Sequence, residues 1–397
     1  MANIQQRGEG SYFFTVYAGR GADGKYQRKT KTYTVDPTLK LSPKKLKEHV
    51  EHEYLKFKQE ILSGSYVAPS KMTFATFVEQ WKSKYADKEL SDTAYLGHVN
   101  RLENHVLPVL AHYNMEQITS LLLLDLLSNL KRKDGKEGEL SYYSKEDIYK
   151  TLKNVFKHAK MWNVIPTNPM EGVSKPKNKD KTTVKELNVY EPEEVAALLE
   201  AVQNEPIHWR IFVTLAIVAG IRRGENLGLE WSKVDFQNNQ IEISQSIVKG
   251  KNGPIIKGPK SKASYRVVSL PQSVMEELKE YRIHWVKEKL KVGDLWVEEE
   301  REWLFCNLDG THFYPDTPGN WWRKFTKRAN VRYIKLHDMR HTSATLLIAQ
   351  GIHAKVISER LGHANTNVTM GTYGHVLKSA DRAAANTFEG LFKSKTQ

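Results

Sequence analysis

The sequence predicts an α+β protein that is mainly α and consists of two or three domains. Its length of 397 residues exceeds what one hydrophobic core of ordinary size accommodates. Alternating residues near the N-terminus, and again between Gln240 and Leu270, indicate two short β regions. Apolar residues at helical spacing dominate the rest. The expected parts are a sheet-plus-helix domain (1–66), a helical domain (72–173), a Lys-rich linker (174–189) and a mixed, mostly helical domain (190–397).

The charge balance predicts a polyanionic partner. Lys and Arg number 60 against 46 Asp and Glu, which gives a net charge of +14 and a pI near 9.4. Such an excess is typical of proteins that bind nucleic acid or an acidic membrane surface. We find no run of about 18 apolar residues and no apolar N-terminal signal region. We therefore expect a cytoplasmic protein that binds nucleic acid and no membrane.

Cysteine and carboxylate usage argues against a metal site. Cys306 is the only cysteine, which excludes an intrachain disulfide and a cysteine-rich zinc site and suits a reducing compartment. A two-metal nuclease needs a cluster of carboxylates. The acidic residues near the motifs, Glu225, Asp338 and Glu359, are instead spread among basic ones. We expect no metal and no cofactor.

The first domain is predicted to be a three-stranded sheet packed on one helix. Residues Gly10 to Val35 alternate around a turn at 22–24, and Ser42-Pro43 begins a helix. A small solvated domain with incidental charge is one interpretation, and DNA binding is the preferred one. The preference depends on a predicted basic strand face that carries Arg28, Lys29 and Lys31.

Four helices are predicted in the second domain. They start near Met72, Ser91, Ile118 and Tyr142, and Pro108 is expected to end the second. The fourth helix has an apolar stripe on one face and a row of lysines on the other. That row is either an ordinary solvated face or, as we prefer, a phosphate-binding one, because a Lys-rich linker expected to run along DNA follows it. The candidate DNA ligands are Lys153, Lys157 and, in the linker, Lys177.

An arginine pair follows a buried helix in the third domain. The segment Ile211 to Ala219 is almost wholly apolar and is expected to end at Gly220. Arg222 and Arg223 come next. Because a buried turn needs its charges paired, Glu225 is expected to hold the Arg222 guanidinium group. Further along, Lys260 and Lys262 are expected to bracket the tip of a hairpin, where either could contact phosphate.

The stretch from Leu336 to Tyr373 carries the densest chemistry. A helix begins near its start, and a second helix, roughly His353 to Leu361, ends at Gly362. Each reactive residue alone is usually structural, but the joint pattern HxxRH, LGH and TY is far more specific. Two imidazoles, a guanidinium and a phenol can hold a phosphate group and attack it. These groups belong to His337, Arg340, His363 and Tyr373.

Three segments resemble the tyrosine recombinases, the family of phage and conjugative-transposon integrases: HDMRHTSATLL, LGHANTNVTMGTY and AGIRRGENLGLEW. The resemblance covers the C-terminal half densely and the N-terminal half by layout. It implies an arm-type DNA-binding domain at 1–66, a SAM-like core-binding domain at 72–173 and a catalytic domain at 190–397. The implied catalytic residues are Arg222, Lys262, His337, Arg340, His363 and Tyr373, with Lys260 as the competitor of Lys262.

The resemblance also implies a mechanism and partners. Tyr373 would form a 3′-phosphotyrosyl bond, the arginines would neutralise the phosphate, and Lys262 would protonate the departing 5′ oxygen. His337 would act as general base or acid, with His363 supporting the phosphate. The implied partners are double-stranded DNA with core and arm-type sites, three further copies of the chain in a tetramer, and an excisionase or a host DNA-bending protein. The setting would be a bacterial cytoplasm, where the enzyme integrates and excises a mobile element or prophage.

Two other functions compete with this one. A type IB topoisomerase-like enzyme shares the chemistry, but the separate arm-like domain argues against it. A noncatalytic DNA-binding regulator on the same scaffold is less favoured, because all six expected positions hold competent residues.

A terminal helix within Ala380 to Phe392 carries an apolar stripe, and docking on an adjacent protomer is preferred to packing on its own domain.

Overall fold

The computed structural model forms two compact units, Met1–Lys179 and Asp180–Gln397. The boundary between them falls inside the predicted linker. Among the residues described, no helix is long and apolar enough to cross a membrane. The structure describes residues 3–20, 26–39, 41–62, 72–132, 138–178, 187–258, 264–297, 300–363, 365–367 and 370.

A three-stranded antiparallel sheet packed on one helix opens the first unit, as the sequence predicts. The strands β1 (Ile4–Gly8), β2 (Ser11–Arg20) and β3 (Tyr26–Thr34) pair in that order, and α1 (Pro43–Leu62) follows. Successive side chains of a strand point to opposite faces, so alternation places an apolar face against the helix. The core consists of Phe14, Val16, Val35, Val50, Phe57 and Ile61.

The prediction of one basic strand face is wrong, because the three basic residues of β3 do not share a face. Lys29 and Lys31 pair with buried residues of β2, whereas Arg28 pairs with the exposed Tyr17. Directly paired residues lie on the same face of a sheet. Lys29 and Lys31 therefore lie on the helix-covered face, where the Lys31 ammonium group is 5.7 Å from the centroid of the Phe57 ring. Arg28 lies on the open face.

Each predicted helix of the second domain begins at a serine or threonine cap. The side-chain oxygens of Thr73, Ser91, Thr119 and Ser141 accept a hydrogen bond from the backbone N–H three residues later. The bond satisfies a donor that a helix start leaves unpaired. The buried faces of these helices form one hydrophobic core. The helices are α2 (Phe74–Trp81), α3 (Asp87–Glu89), α4 (Asp92–Arg101), α5 (Leu107–Leu110), α6 (Ser120–Ser128) and α7 (Tyr142–Met161).

Pro108 does not end the second predicted helix. The backbone stays helical from Asp92 to Leu110, through a π-helical segment at Leu102–Val106. Pro108 lies in the first turn of α5, directly after this change of register. A first turn tolerates proline because its N–H groups need no partner within the helix. A second π-helical segment, Lys82–Ala86, joins α2 to α3.

The second unit is mostly helical with two small sheets. Its helices are α8 (Pro192–Ala201), α9 (Ile207–Val218), α10 (Arg223–Leu227), α11 (Gln272–Val292), α12 (Thr317–Arg328), α13 (Asp338–Ala349) and α14 (Ala354–Leu361). The strands β4 (Val234–Asp235), β5 (Gln240–Ile243) and β8 (Arg266–Ser269) form one antiparallel sheet, and β6 (Ser246–Gly250) and β7 (Gly253–Lys257) form a hairpin. With the first unit, they make the described chain a mainly α, α+β protein, as predicted.

Helix α9 is apolar on nearly every face because it lies between two hydrophobic cores. Ile211 and Leu215 pack with residues of β5, β8 and α11. Val213 and Ile217 pack with residues of α8, α12 and α13. Contacts on both sides fix the end of this helix, and the turn that carries Arg222 follows directly.

The predicted hairpin tip is wrong. Gly250 pairs with Gly253, so the tip of the β6–β7 hairpin is Lys251-Asn252. The segment that contains Lys260 and Lys262 connects β7 to β8, and these two strands belong to different sheets. Both lysines lie outside the described residues. The alternating pattern predicted strands between 240 and 270, but β7 lies in the segment expected to be a turn region, and the pattern did not specify which strands pair.

Buried aromatic residues surround α9. Residues 302–305 form an isolated bridge between Glu230 and Trp303 rather than a strand. Trp321 and Trp322 are packing residues. The Trp321 ring stacks on Trp209 with centroids 4.4 Å apart, and Trp322 is fully buried.

Candidate active site

Gly220 allows the end of α9 to lie against α13 and α14. Its φ of +61° is in the left-handed region. A Cβ atom here would lie 2.6 Å from Leu361 Cδ2 and 3.0 Å from Ser343 Oγ. Glycine alone adopts this φ at low cost and leaves that space. The residue therefore sets how closely the Arg222 turn approaches the two helices.

Glu225 holds two arginine side chains. Its Oε1 accepts a hydrogen bond from Arg222 Nη1 at 2.6 Å, and its Oε2 accepts from the Arg222 backbone N–H and from Arg266 Nη2, both at 2.9 Å. Burial opposes ionisation of this carboxyl group, but Arg266 and Arg222 outweigh burial and lower its pKa to about 2. The carboxylate is charged at neutral pH and fixes both guanidinium groups. The prediction that Glu225 holds Arg222 is confirmed.

Arg266 and Arg360 attach the end of α14 to its neighbours. The buried Arg266 donates from Nε to the carbonyl of Arg360 at 2.7 Å. Arg360 donates from Nη2 to the carbonyl of Val218 at 2.9 Å and from Nη1 to that of Ser269 at 3.1 Å. Arg360 is not among the residues predicted from the sequence. The only feature of the sequence that pointed to Arg360 was its position two residues before Gly362.

Helix α13 directs Arg340 into the interior. Arg340 is 2% exposed, and its Nη1 donates to the carbonyl of Gly220 at 3.0 Å. His337, directly before the helix, is exposed. The ring of His341, a second residue that the sequence analysis did not assign, lies perpendicular to the His337 ring with centroids 5.1 Å apart. The HxxRH pattern contained that signal, because residues four apart share a helix face.

A left-handed turn at Gly362 places His363 beside Arg222. Gly362, with φ 68° and ψ 49°, ends α14 as predicted, and its carbonyl accepts a hydrogen bond from Arg222 Nη2 at 3.3 Å. The His363 backbone N–H donates to the carbonyl of Ser358 at 2.9 Å, which closes the turn. The imidazole of His363 is half-buried.

Positive charge dominates the cluster. Desolvation, followed by the charges of Arg340 and Arg222, lowers the pKa of His363 to about 4. Desolvation and then Arg340 also lower the pKa of His337, although two nearby carboxylates oppose the shift. This ring is desolvated by neighbouring atoms even though the residue is exposed by surface area. Both imidazoles are therefore neutral at pH 7, and the fixed guanidinium groups favour binding of an anion.

Four of the six predicted catalytic residues lie in this cluster. They come from the turn before α10, the start of α13 and the turn after α14. Contacts of Gly220, Glu225 and Gly362 join these three segments. The four are Arg222, His337, Arg340 and His363. Lys262, Lys260, Tyr373 and the C-terminal tail lie outside the described residues.

Lysines on α7 fall into two groups. Lys150 pairs with Glu146 and Asp147, and Lys160 pairs with Glu171. Lys153 and Lys157 are exposed and form no ion pair with any residue that the structure describes. The unpaired ammonium groups are the better candidates for an anionic ligand. Lys177 in the linker is exposed as well.

Two family models match the chain. The model of the phage integrase family matches residues 188–380, and the model of the phage integrase N-terminal SAM-like domain matches residues 73–131. Together the matches span more than half of the chain. The first includes all six predicted catalytic positions.

Two similar curated proteins are named as a tyrosine recombinase and an integrase. A tyrosine recombinase XerC-like protein of Caldanaerobacter subterraneus subsp. tengcongensis is 28% identical over 407 residues, which cover 98% of this chain and 98% of that protein. The ICEBs1 integrase of Bacillus subtilis (strain 168) is 27% identical over 303 residues, which cover 73% of this chain and 76% of that protein. The first match extends over nearly the whole length of both chains.

Solved structures share the fold. A Tn1549 transposon integrase in complex with a circular intermediate DNA has a TM-score of 0.63 at 18% identity and covers 80% of this chain and 100% of its own. A lambda integrase tetramer bound to a Holliday junction has a TM-score of 0.55 at 16% identity, with 92% and 96% covered. The motifs, the family matches and the fold agree, so this chain belongs to the phage integrase family and is a tyrosine recombinase.

Proposed function

We propose that this enzyme cleaves and rejoins double-stranded DNA at specific sites, and that it integrates and excises a mobile element or prophage. The main support for this proposal is the cluster of Arg222, Arg340, His337 and His363 around two fixed turns. The transition state of phosphodiester cleavage carries extra charge on its equatorial oxygens, which donors fixed in advance stabilise. The DNA complexes of the Tn1549 and lambda integrases support the choice of substrate.

Tyr373 is the proposed nucleophile. Its phenolic oxygen bonds to phosphorus as the bond to the 5′ oxygen breaks, which leaves a 3′-phosphotyrosyl link and conserves the energy for rejoining. Lys262 protonates the departing 5′ oxygen, and His337 takes up the phenolic proton. His363 supports the phosphate. Neither ATP nor water takes part in the transfer.

A suicide DNA substrate tests the proposal. A nick beside the cleavage point of a native attachment site lets the short fragment diffuse away, so the covalent intermediate accumulates. We expect a protein–DNA adduct that survives denaturation and joined products when two duplexes are present. Lack of an adduct would favour the noncatalytic regulator. An adduct with relaxation of one duplex, but without joined products, would favour the topoisomerase-like enzyme.

DNA affinity should rise as the pH falls from about 7 to about 5. In the DNA-free protein the pKa of His363 is about 4, and a bound phosphate would raise it by stabilising the imidazolium. The complex then holds a proton that the free protein lacks, so lower pH favours the complex, by at most about tenfold per pH unit for one proton. Dissociation constants at fixed ionic strength measure this slope, and His363→Gln should flatten it. Equal slopes in both proteins would assign the proton to another group.

Cleavage should survive excess EDTA. Arg222 and Arg340 supply the positive charge in the proposed chemistry. Within the described ranges, no group of three or more His, Cys, Asp or Glu residues could hold a metal ion. Adduct formation should be equal in EDTA and in magnesium. Loss in EDTA that magnesium restores would show metal-dependent chemistry and remove the proposed role of the arginines.

Deleting residues up to Gly64 should leave core-site cleavage intact and abolish binding to a second, distal DNA site. We assign arm-type binding to this domain because its open sheet face presents Arg28 beside Tyr17. Footprints on a full attachment site measure the loss. Arg28→Ala should weaken the distal footprint more than the matched Lys31→Ala, since Lys31 lies on the helix-covered face. Unchanged footprints after the deletion would leave this domain without a DNA role.

The proposed assembly is a tetramer on two duplexes. The lambda integrase tetramer on a Holliday junction supports this stoichiometry. Core-site contacts are assigned to Lys153, Lys157 and Lys177, which are exposed. An excisionase or host DNA-bending protein as partner, and docking of the tail at 380–392 onto an adjacent protomer, stay predictions.

A further inference from the structure

Residues 187–190, the anchor segment, lead into the second unit and are held by Arg332. Its Nε and Nη2 donate to the two carboxylate oxygens of Glu194 at 2.6 Å each. Nη1 donates to Asn188 Oδ1, and Nη2 also donates to the carbonyl of Val189, both at 2.5 Å. One planar guanidinium group therefore binds both the anchor segment and the first turn of α8.

Tyr190 fixes the other end of the anchor segment. Its ring is 1% exposed and lies beneath the Arg332 guanidinium group, whose Cζ is 5.1 Å from the ring centroid. The hydroxyl group donates to the carbonyl of Arg332. The backbone N–H donates to Thr342 Oγ1 at 3.1 Å, and this buried hydroxyl group donates in turn to the carbonyl of Asp338 at 3.0 Å. The segment is thus attached directly to α13.

The two attachment points flank the active-site residues of α13. Arg332 lies five positions before His337, and Thr342 lies two positions after Arg340. Leu187 packs on the core that contains Ile348, in the same helix. The anchor segment therefore contacts the chain on both sides of the two residues.

The charges of the contact between Arg332 and Glu194 favour a role in positioning the anchor segment. The hydrogen bond from Arg332 outweighs the smaller, opposing effect of burial and lowers the pKa of Glu194 to about 2, so the pair stays ionised at neutral pH. The Arg332 side chain is 43% exposed, and an exposed pair adds little Coulombic stability on its own. Several hydrogen bonds from one rigid fork instead define geometry.

We propose that the anchor segment is a positioning element for cleavage, seated by Arg332 and Thr342, that keeps His337 and Arg340 in register with the phosphate. The inference rests on the proposed function. Arg332 and Thr342 act through α13 and do not contact the phosphate. Displacing reacting groups by about 1 Å costs on the order of 100-fold in rate. Unseating the segment should therefore slow cleavage, while affinity, which many phosphate contacts supply, should change little.

Thr342→Val tests the inference with the least disturbance, because valine keeps the shape and removes only the hydroxyl group that accepts from Tyr190. We expect single-turnover cleavage of the suicide substrate to fall about 10- to 100-fold, with a change in dissociation constant below about threefold. Thr342→Ser retains the hydroxyl group and should restore the wild-type rate. A role in folding alone would move the melting temperature without this separation of rate from affinity.

Arg332→Met should give the same loss as Thr342→Val, and Arg328→Met is the matched control. Arg328 lies four residues before Arg332 and forms an ion pair with Glu205, and among the described residues it forms no hydrogen bond or ion pair with 187–190. Should Arg332→Met fail to fold, the two Thr342 variants decide. Equal rates in wild type and Thr342→Val, or equal losses in Thr342→Val and Thr342→Ser, would overturn the inference alone. Absence of an adduct with the wild-type chain would overturn the proposed function as well.

Discussion

Tyr373→Phe should bind its DNA site as tightly as the wild-type chain and form no covalent adduct. The change removes one oxygen, and without that oxygen no bond to phosphorus can form at this position. The arginines and histidines proposed to hold the phosphate are untouched, so affinity should be retained. Gel shifts measure binding, and denaturing gels of the suicide-substrate reaction measure the adduct.

Tyr333→Phe is the matched control for this variant. Tyr333 is an exposed tyrosine of the same unit that precedes His337 by four positions, and its loss should leave the adduct unchanged. An adduct in Tyr373→Phe would assign the nucleophile to another residue, which peptide sequencing of the adduct would identify. That result would leave the phosphate-binding cluster in place and remove the TY motif from the chemistry.

Local signals made most of the fold predictable. The serine and threonine caps, the apolar stripes and the glycines after α9 and α14 each act within a few residues, and α6, α7 and α14 begin or end where these signals indicate. The pairing of Arg222 with Glu225 is local as well, since three residues separate them on one turn. Most of the residues that form the cluster could therefore be predicted from the sequence.

One wrong prediction and one missed residue concern contacts between distant parts of the chain. The strands on either side of residues 259–263 belong to different sheets. An alternating sequence pattern does not encode the order of strands in a sheet. The carbonyl partners of Arg360 lie on α9 and β8, 142 and 91 positions away. The split of Arg28 from Lys29 and Lys31 has a different origin. The period of two in a strand places neighbouring residues on opposite faces, so adjacent positions do not predict a shared face.

Replacing Arg222 or Arg340 by lysine should preserve DNA affinity and remove about 2 to 4 kcal/mol of transition-state stabilisation, or roughly 30- to 900-fold in rate. The Arg222 guanidinium group binds Glu225 and the carbonyl of Gly362 at once. Arg340 binds the carbonyl of Gly220 from a buried position. A planar fork can make these contacts and still direct N–H groups to a phosphate, whereas one ammonium group cannot do both.

Arg223→Lys is the control that separates geometry from charge. Arg223 is adjacent to Arg222, its side chain is 43% exposed, and the nearest carboxylate oxygen paired with it, on Asp316, is 3.9 Å away. Its replacement by lysine should change single-turnover cleavage by less than about threefold, as for an exposed, weakly paired charge. Near-normal cleavage by Arg222→Lys and Arg340→Lys would show that charge alone suffices. Equal losses in all three variants would show that cleavage responds to any arginine replacement near the cluster, and the assigned roles of Arg222 and Arg340 would then fail.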